Sequence, residues 1–268
     1  MTRFRSGDAE ISYWELGRGP DVVLLHPFPA SHEVWTPVAE ALASSYRLVL
    51  PDLRAHGESQ PGDGPASMEK HATDLLRLCQ EAGIQRAVFA GVSIGGYILF
   101  EFWRRYRARV SALILCDTRS QADTPEGRAN RLAAAEDVTR RGVEPFVESM
   151  LPRLLGKSTH TNRPDIVDAA RRLMRKSTPA GIAAAQRGMA ERPDSGPDLA
   201  TIDIPTLILV GEEDTLTPVA DAEFLHAHIP HSRLRVIPRA GHYAPLENPD
   251  ACLAAMREFL DGLPAIRS

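Results

Sequence analysis

Apolar residues in the first half of the chain fall into two patterns. One is the short unbroken run: residues 21–26 (DVVLLH), 46–52 (YRLVLPD), 86–92 (RAVFAGV) and 110–117 (VSALILCD), each read as a buried strand. Residues 10–17 (EISYWELG) precede them as a further strand. The other pattern is helical. Val34, Val38 and Leu42 recur at helix spacing within residues 31–45. Leu75, Leu76, Leu78 and Cys79 form the stripe of residues 67–83, which Gly83 ends. Residues 94–106 (IGGYILFEFWRRY) are apolar nearly all round, which predicts a buried helix. Strands with no polar face, alternating with helices, predict a parallel sheet covered on both sides.

The pattern changes between residues 121 and 199. No strand is evident there, and helical segments follow one another at 125–142, 143–156, 164–176 and 178–191. Pro164 and Pro179 sit where first helical positions fall, and Thr178 is placed to cap the last of the four. Strands resume at 205–211 and 233–238, with helices at 218–229 and 248–263. The expected organisation is an α/β core of residues 1–120 and 200–268, with a helical cap of residues 121–199 inserted before the last two strands. Such a cap would lie over the C-terminal edge of the sheet, where open α/β sheets bind ligands.

One polar residue interrupts the apolar junction at 91–95 (GVSIG). Ser93 stands between a strand and a helix with glycine two places to either side. That arrangement suits a nucleophile: small flanking residues let strand and helix backbones approach, and the hydroxyl stands exposed at the helix N-terminus. A serine needs a base and the base needs orienting. Asp214 follows the strand at 205–211 in GEEDTLTP, and His242 follows the strand at 233–238 in AGHYAPLENP. Three such residues, each at a strand end and in the order Ser, Asp, His, form the constellation of acyl transfer on this kind of sheet. The Ile94 N–H, with the Phe28 N–H from LLHPFPA, is the expected oxyanion hole; Pro27 and Pro29 have no N–H to offer.

Alternatives sit beside several of these residues. Asp117 also ends a strand and competes with Asp214 for the role of acid, and Glu212 and Glu213 adjoin it. His26 is expected to brace the Phe28 loop, and Asp52 and Arg54 the turn after their strand. Met150, Leu154, Met174 and Met189 are candidates for the pocket wall. His226, His228 and His231 read as surface residues, because helix positions two apart diverge and cannot share a metal.

With LLHPFPASHEVW, LPDLRAHGES, GVSIGGYI, LILCDTR, ADTPEGRANR, RPDSGPDL, GEEDTLTP and AGHYAPLENP, the chain resembles the α/β-hydrolase fold superfamily from Leu24 to Pro249. It is similar to the branch of small bacterial carboxylesterases and 3-oxoadipate enol-lactonases. The resemblance implies a Ser93–His242–Asp214 triad, a helical cap and no cofactor. Pro27 and Ala55 replace glycines usual there, and Ile94 stands where methionine is common.

Composition narrows the field without redirecting it. A net charge of −4, with no basic run beyond arginine pairs, argues against nucleic acid. Three separated cysteines among apolar residues suggest reduced thiols and a cytoplasmic protein. No Cys/His spacing supports a metal, and no apolar run approaches the length of a membrane span. The expectation is a monomeric or homodimeric hydrolase acting on a small ester through an acyl-enzyme. A lactonase with the same triad is the nearest rival, and a non-catalytic binding protein on the same fold the more distant one.

Overall fold

The computed structural model describes residues 1–264; the last four residues of the expected core, 265–268, lie outside the described residues. Eight strands form one sheet in the order β1-β2-β4-β3-β5-β6-β7-β8. They are β1 (Thr2–Ser6), β2 (Ala9–Leu16), β3 (Asp21–Leu25), β4 (Arg47–Pro51), β5 (Ala87–Val92), β6 (Val110–Cys116), β7 (Thr206–Gly211) and β8 (Ser232–Ile237). Pairing is parallel from β4 to β8, while β2 runs antiparallel to both β1 and β4.

Helices alternate with these strands: α1 (Thr36–Leu42), α2 (Met68–Glu81), α3 (Ile94–Tyr106), then α4 (Pro125–Arg141), α5 (Val143–Leu154), α6 (Lys157–Asn162), α7 (Pro164–Arg175) and α8 (Pro179–Ala190) between β6 and β7. Then come α9 (Val219–His228), the short α10 (Ala244–Glu247) and α11 (Pro249–Asp261).

The unbroken apolar strands have two faces and bury both. Val23 and Leu25 of β3 join a core with α2, α3 and α9, while Val22 and Leu24 join a second core with α1 and α11. At roughly 1.5–3 kcal/mol for each fully buried aliphatic side chain, this two-sided burial is the main force holding the sheet. The all-round apolar character of α3 has the expected outcome, since every residue from Ile94 to Trp103 is buried. Local punctuation also behaves as read: Gly83 ends α2 with φ +70°, and the Thr178 hydroxyl accepts from the Gly181 N–H at the start of α8.

Three elements depart from expectation. β1 was not anticipated, because only Phe4 and Ser6 of its five residues are buried. α6 and α10 are likewise absent from the sequence reading, and both are too short to show a period.

β3 is the topological switch point, because the chain moves from β3 to β4 on one side and then to β5 on the other. Its C-terminal end and those of β5, β7 and β8 carry Phe28, Ser93, Asp214 and His242 respectively. The five-helix insertion stands over this edge, and its α8 lies against the core. A Cβ on Gly188 would fall 1.8 Å from the Ala66 carbonyl oxygen, so only glycine allows that contact.

Candidate active site

Ser93 is the hinge between β5 and α3. Its φ of 55° and ψ of −112° are rare for a residue with a Cβ, and such strain persists only where the surroundings over-determine it. They do so here through four bonds. The Ser93 N–H donates to the Cys116 carbonyl (3.0 Å), and its own carbonyl accepts from the Thr118 hydroxyl (2.8 Å), the Gly96 N–H (2.9 Å) and the Tyr97 N–H (3.3 Å). The surrounding glycines are steric necessities. An added Cβ at Gly91 would lie 2.5 Å from the Gly95 carbonyl carbon, at Gly95 2.9 Å from the Leu25 oxygen, and at Gly96 2.4 Å from Thr118 Oγ1. Gly91→Ala meets backbone that cannot swing aside. It should cost about 1–3 kcal/mol, as overpacking does, and displace Ser93; denaturant midpoint and turnover are the measurements.

Asp214 and His242 meet beside this turn. Nδ1 of His242 lies 2.8 Å from Asp214 Oδ2, and both side chains are buried. Asp214 is itself held by the Leu216 N–H (2.8 Å), the Thr217 N–H (3.1 Å) and the Thr217 hydroxyl (2.6 Å). The carboxylate therefore accepts a hydrogen bond from Nδ1–H, which keeps the ring proton on Nδ1 and leaves Nε2 as an acceptor. Burial acts against a charged His242, but the Asp214 charge and hydrogen bond outweigh it, and the imidazole pKa is raised. Burial acts on Asp214 in the opposite sense to the His242 and Thr217 contacts, which prevail and hold its carboxyl below the usual range. Both shifts favour a histidine able to carry positive charge beside a carboxylate.

The rival acids are placed elsewhere. Asp117 is fully buried, and its oxygens face the Gly211 N–H (2.7 Å) and the Cys116 thiol (3.1 Å), not the imidazole. Burial, with the nearby Asp214 charge, pushes its carboxyl well above the ordinary range. Glu212 accepts from the Arg239 N–H, and Glu213 from Ser158.

Phe28 is buried beside the site, and its N–H makes no backbone hydrogen bond among the described residues. The Ile94 N–H opens α3 and has no acceptor within the helix. The Phe28 loop is held from two sides. His26 donates from Nδ1 to the Pro27 carbonyl (2.8 Å) and accepts at Nε2 from the Leu53 N–H (2.9 Å). Burial, reinforced by His56, lowers the His26 pKa to about 3, so the ring is neutral as both bonds require. On the other side the Tyr243 hydroxyl donates to the Phe28 carbonyl (3.2 Å). Asp52 accepts from the backbone and ring of His32 and from the Glu58 N–H, and Arg54 forms a two-pronged pair with Asp74, so both fix their turn as expected.

A cavity of about 510 Å³ opens over these groups, lined at its base by Phe28, Ser93, Thr217 and His242. Met150, Leu154 and Met189 of the insertion line it as anticipated. Met174 does not: it is buried in a separate cluster with Ala30, Val34, Leu151 and Tyr243, because the apolar stripe of α7 faces that cluster. Arg119, Arg131 and Arg153 also reach the cavity, with Asp123 and Asp137. Asp123 pairs with Arg131 and Arg192, whereas Arg153 has no ion-pair partner among the described residues.

No group of His, Cys, Asp and Glu able to hold a metal occurs among the described residues, and His226, His228 and His231 are exposed. The three cysteines are buried and unpaired. No helix among the described residues is long and apolar enough to cross a membrane. The sequence reading missed Thr217, Tyr243 and Glu247. Thr217 and Tyr243 lie close to recognised residues and carried no pattern of their own, while two of the Glu247 contacts come from residues about ninety places away.

The chain belongs to the alpha/beta hydrolase fold family, whose model matches residues 20–249. It is similar to a thermophilic esterase from Thermogutta terrifontis, solved with malate bound, at 41% identity and a TM-score of 0.95 over 97% of this chain and 98% of that one. An enol-lactonase from Burkholderia xenovorans superposes with a TM-score of 0.90 at 25% identity, over 97% of this chain and 100% of that one. In sequence it is 28% identical to 3-oxoadipate enol-lactonase 2 of Acinetobacter baylyi, over 91% of this chain and 90% of that protein.

Proposed function

We propose that this carboxylic ester hydrolase works through a Ser93–His242–Asp214 triad and an acyl-enzyme, with the insertion as a cap that selects the substrate. The observation that carries the reading is the opening of Ser93 and the Asp214-bound His242 into one cavity. Ser93 Oγ attacks the acyl carbon while His242 Nε2 takes its proton. Asp214 keeps the Nδ1 proton in place and stabilises the imidazolium. The Phe28 and Ile94 N–H groups receive the oxyanion, each such donor being worth about 3 kcal/mol. His242 returns the proton to the leaving alcohol, then activates a water that releases the acid.

A fluorophosphonate probe tests this directly, since it should label Ser93 in the wild type. A protein left unlabelled would be a binding protein on a hydrolase fold.

A lactone is the second substrate class, favoured by the enol-lactonase relatives. The same atoms perform it, the alcohol remaining attached to the acyl chain. In either class the guanidinium of Arg153 favours a substrate that also carries a carboxylate. Arg153→Ala should therefore raise KM for a half-ester of a dicarboxylic acid by about 2- to 5-fold, the range of an exposed ion pair. A neutral ester of equal size is the control; an equal rise for both would remove the charge argument.

A further inference from the structure

One buried carboxylate outside the reacting groups is bonded more fully than its place in the fold demands. Glu247, at the end of α10, is 4% exposed and accepts four hydrogen bonds. Two come from the insertion, from the Gly156 N–H (2.7 Å) and the Thr159 hydroxyl (2.6 Å). Two come from the loop after β8, from the Gly241 N–H (3.0 Å) and the Tyr243 N–H (3.1 Å). The residue between those last two is His242, and its own N–H donates to the Leu154 carbonyl (2.9 Å), again in the insertion.

A second carboxylate makes a similar join on the neighbouring loop. Glu213, adjacent to Asp214, accepts from the Ser158 N–H (2.7 Å) and from the Ser158 hydroxyl. Residues 154–159, where α5 gives way to α6, thus grip the loops of both Asp214 and His242. The fit leaves no room for side chains. A Cβ on Gly156 would lie 2.6 Å from Glu213 Oε2 and 2.9 Å from the Gly241 nitrogen, and one on Gly241 would lie 2.3 Å from the Gly156 nitrogen.

The simplest account is that Glu247 caps α6, since Gly156 and Thr159 open that helix. Capping explains two of its four bonds. It leaves unexplained why the other two fall on either side of His242. It also leaves out Leu154, which lines the substrate cavity and bonds the His242 backbone as well. A carboxylate is costly to bury, and one wholly surrounded by donors holds each donor firmly in place.

We infer that Glu247 is a positioning residue: together with Glu213 it clamps residues 154–159 of the insertion to the Asp214 and His242 loops, making the cavity wall and the catalytic base one mechanical unit. The inference rests on the reading of His242 as the base. Its function is to keep Nε2 aimed at Ser93, and a shift of about 1 Å in such a group can cost 100-fold in rate. The reaction itself proceeds without Glu247 touching the substrate.

The test uses three single variants of the full chain. Glu247→Gln presents an amide NH2 to groups that are themselves donors. Thr159→Val removes one donor on the insertion side and keeps the side-chain shape. Thr161→Val is the control, since its hydroxyl bonds only the Lys157 carbonyl within α6. For each, kcat and KM are measured on one aryl ester, with the downfield Nδ1–H proton resonance of His242 in the ligand-free protein.

The expected results are a kcat lowered about 100-fold in Glu247→Gln and about 10-fold in Thr159→Val, with KM changed less than about 2-fold. In both the imidazole proton should shift or exchange faster, while Thr161→Val matches the wild type. Folded variants with wild-type kcat and an unmoved resonance would overturn the inference, as would a rise in KM alone. Should Glu247→Gln not fold, Thr159→Val decides by the same two readings. Ser93→Ala separates the two layers. If it stays active, the triad reading fails whatever the clamp variants do; if it is inactive and the clamp variants are unaffected, only the clamp fails.

Discussion

Ser93→Ala is expected to lower ester turnover by at least about 10,000-fold, because the nucleophile of a triad has no substitute among its neighbours. The effect on stability should be small. Alanine keeps the Cβ, so the φ of 55° remains as strained as before. The four bonds that fix the turn use the Ser93 backbone, and all survive. The lost Oγ makes no hydrogen bond to another side chain among the described residues, so the change in unfolding free energy should stay within about 0.5 kcal/mol. Measured together, kcat/KM on an aryl ester and the thermal melt separate chemistry from fold. Turnover within tenfold of the wild type, in a protein that melts normally, would place the nucleophile elsewhere.

The placement of the candidate site residues was legible in the sequence for a physical reason. Ser93 and Asp214 each follow a strand whose apolar run marks its end, and His242 follows the alternating strand SRLRVI, so sequence position places all three at strand ends on one edge of the sheet. Gly91 is needed by a contact within the turn itself, with Gly95, and is visible locally, whereas Gly95 and Gly96 are needed by Leu25 and Thr118 from neighbouring strand ends. What escaped notice depends on distant partners. α6 has the sequence KSTHTN, without an apolar residue, and its first turn is held by Glu213 and Glu247 from the other end of the chain. The inward face of α7 shows that one side of the helix is buried but not against what. Met174 therefore looked equivalent to Met150 until packing assigned it to the cluster with Tyr243. β1 is mostly exposed and polar, and it exists because β2 offers it a pairing edge.

The second large effect concerns the acid. Asp214→Asn should lower kcat by about 10,000-fold, close to the loss of the nucleophile, although the side chain keeps its shape. The reason lies in the direction of one hydrogen bond. Asp214 Oδ2 can only accept, which fixes the proton on His242 Nδ1 and leaves Nε2 bare. An asparagine sits among the same partners, and the Leu216 and Thr217 N–H groups, which donate to Oδ1, claim its carbonyl oxygen. Its NH2 is then turned to the imidazole, donates to Nδ1, and moves the ring proton to Nε2, where no base remains.

The same substitution carries a pH signature. In the wild type the net effect of burial and Asp214 is a raised His242 pKa. The base is neutral only above that pKa, so the acid limb of kcat/KM should lie above the ordinary histidine value of about 6.5. Removing the carboxylate leaves burial to act with less opposition, which lowers the pKa and moves the acid limb of the residual activity to lower pH. Asp117, already pushed toward its neutral form and facing Gly211, is not aligned to replace the lost acceptor. An Asp214→Asn enzyme with near-normal kcat, or an Asp117→Asn enzyme with the larger loss, would transfer the role of acid to Asp117. An acid limb that stays in place in Asp214→Asn would mean that another group sets the charge of His242.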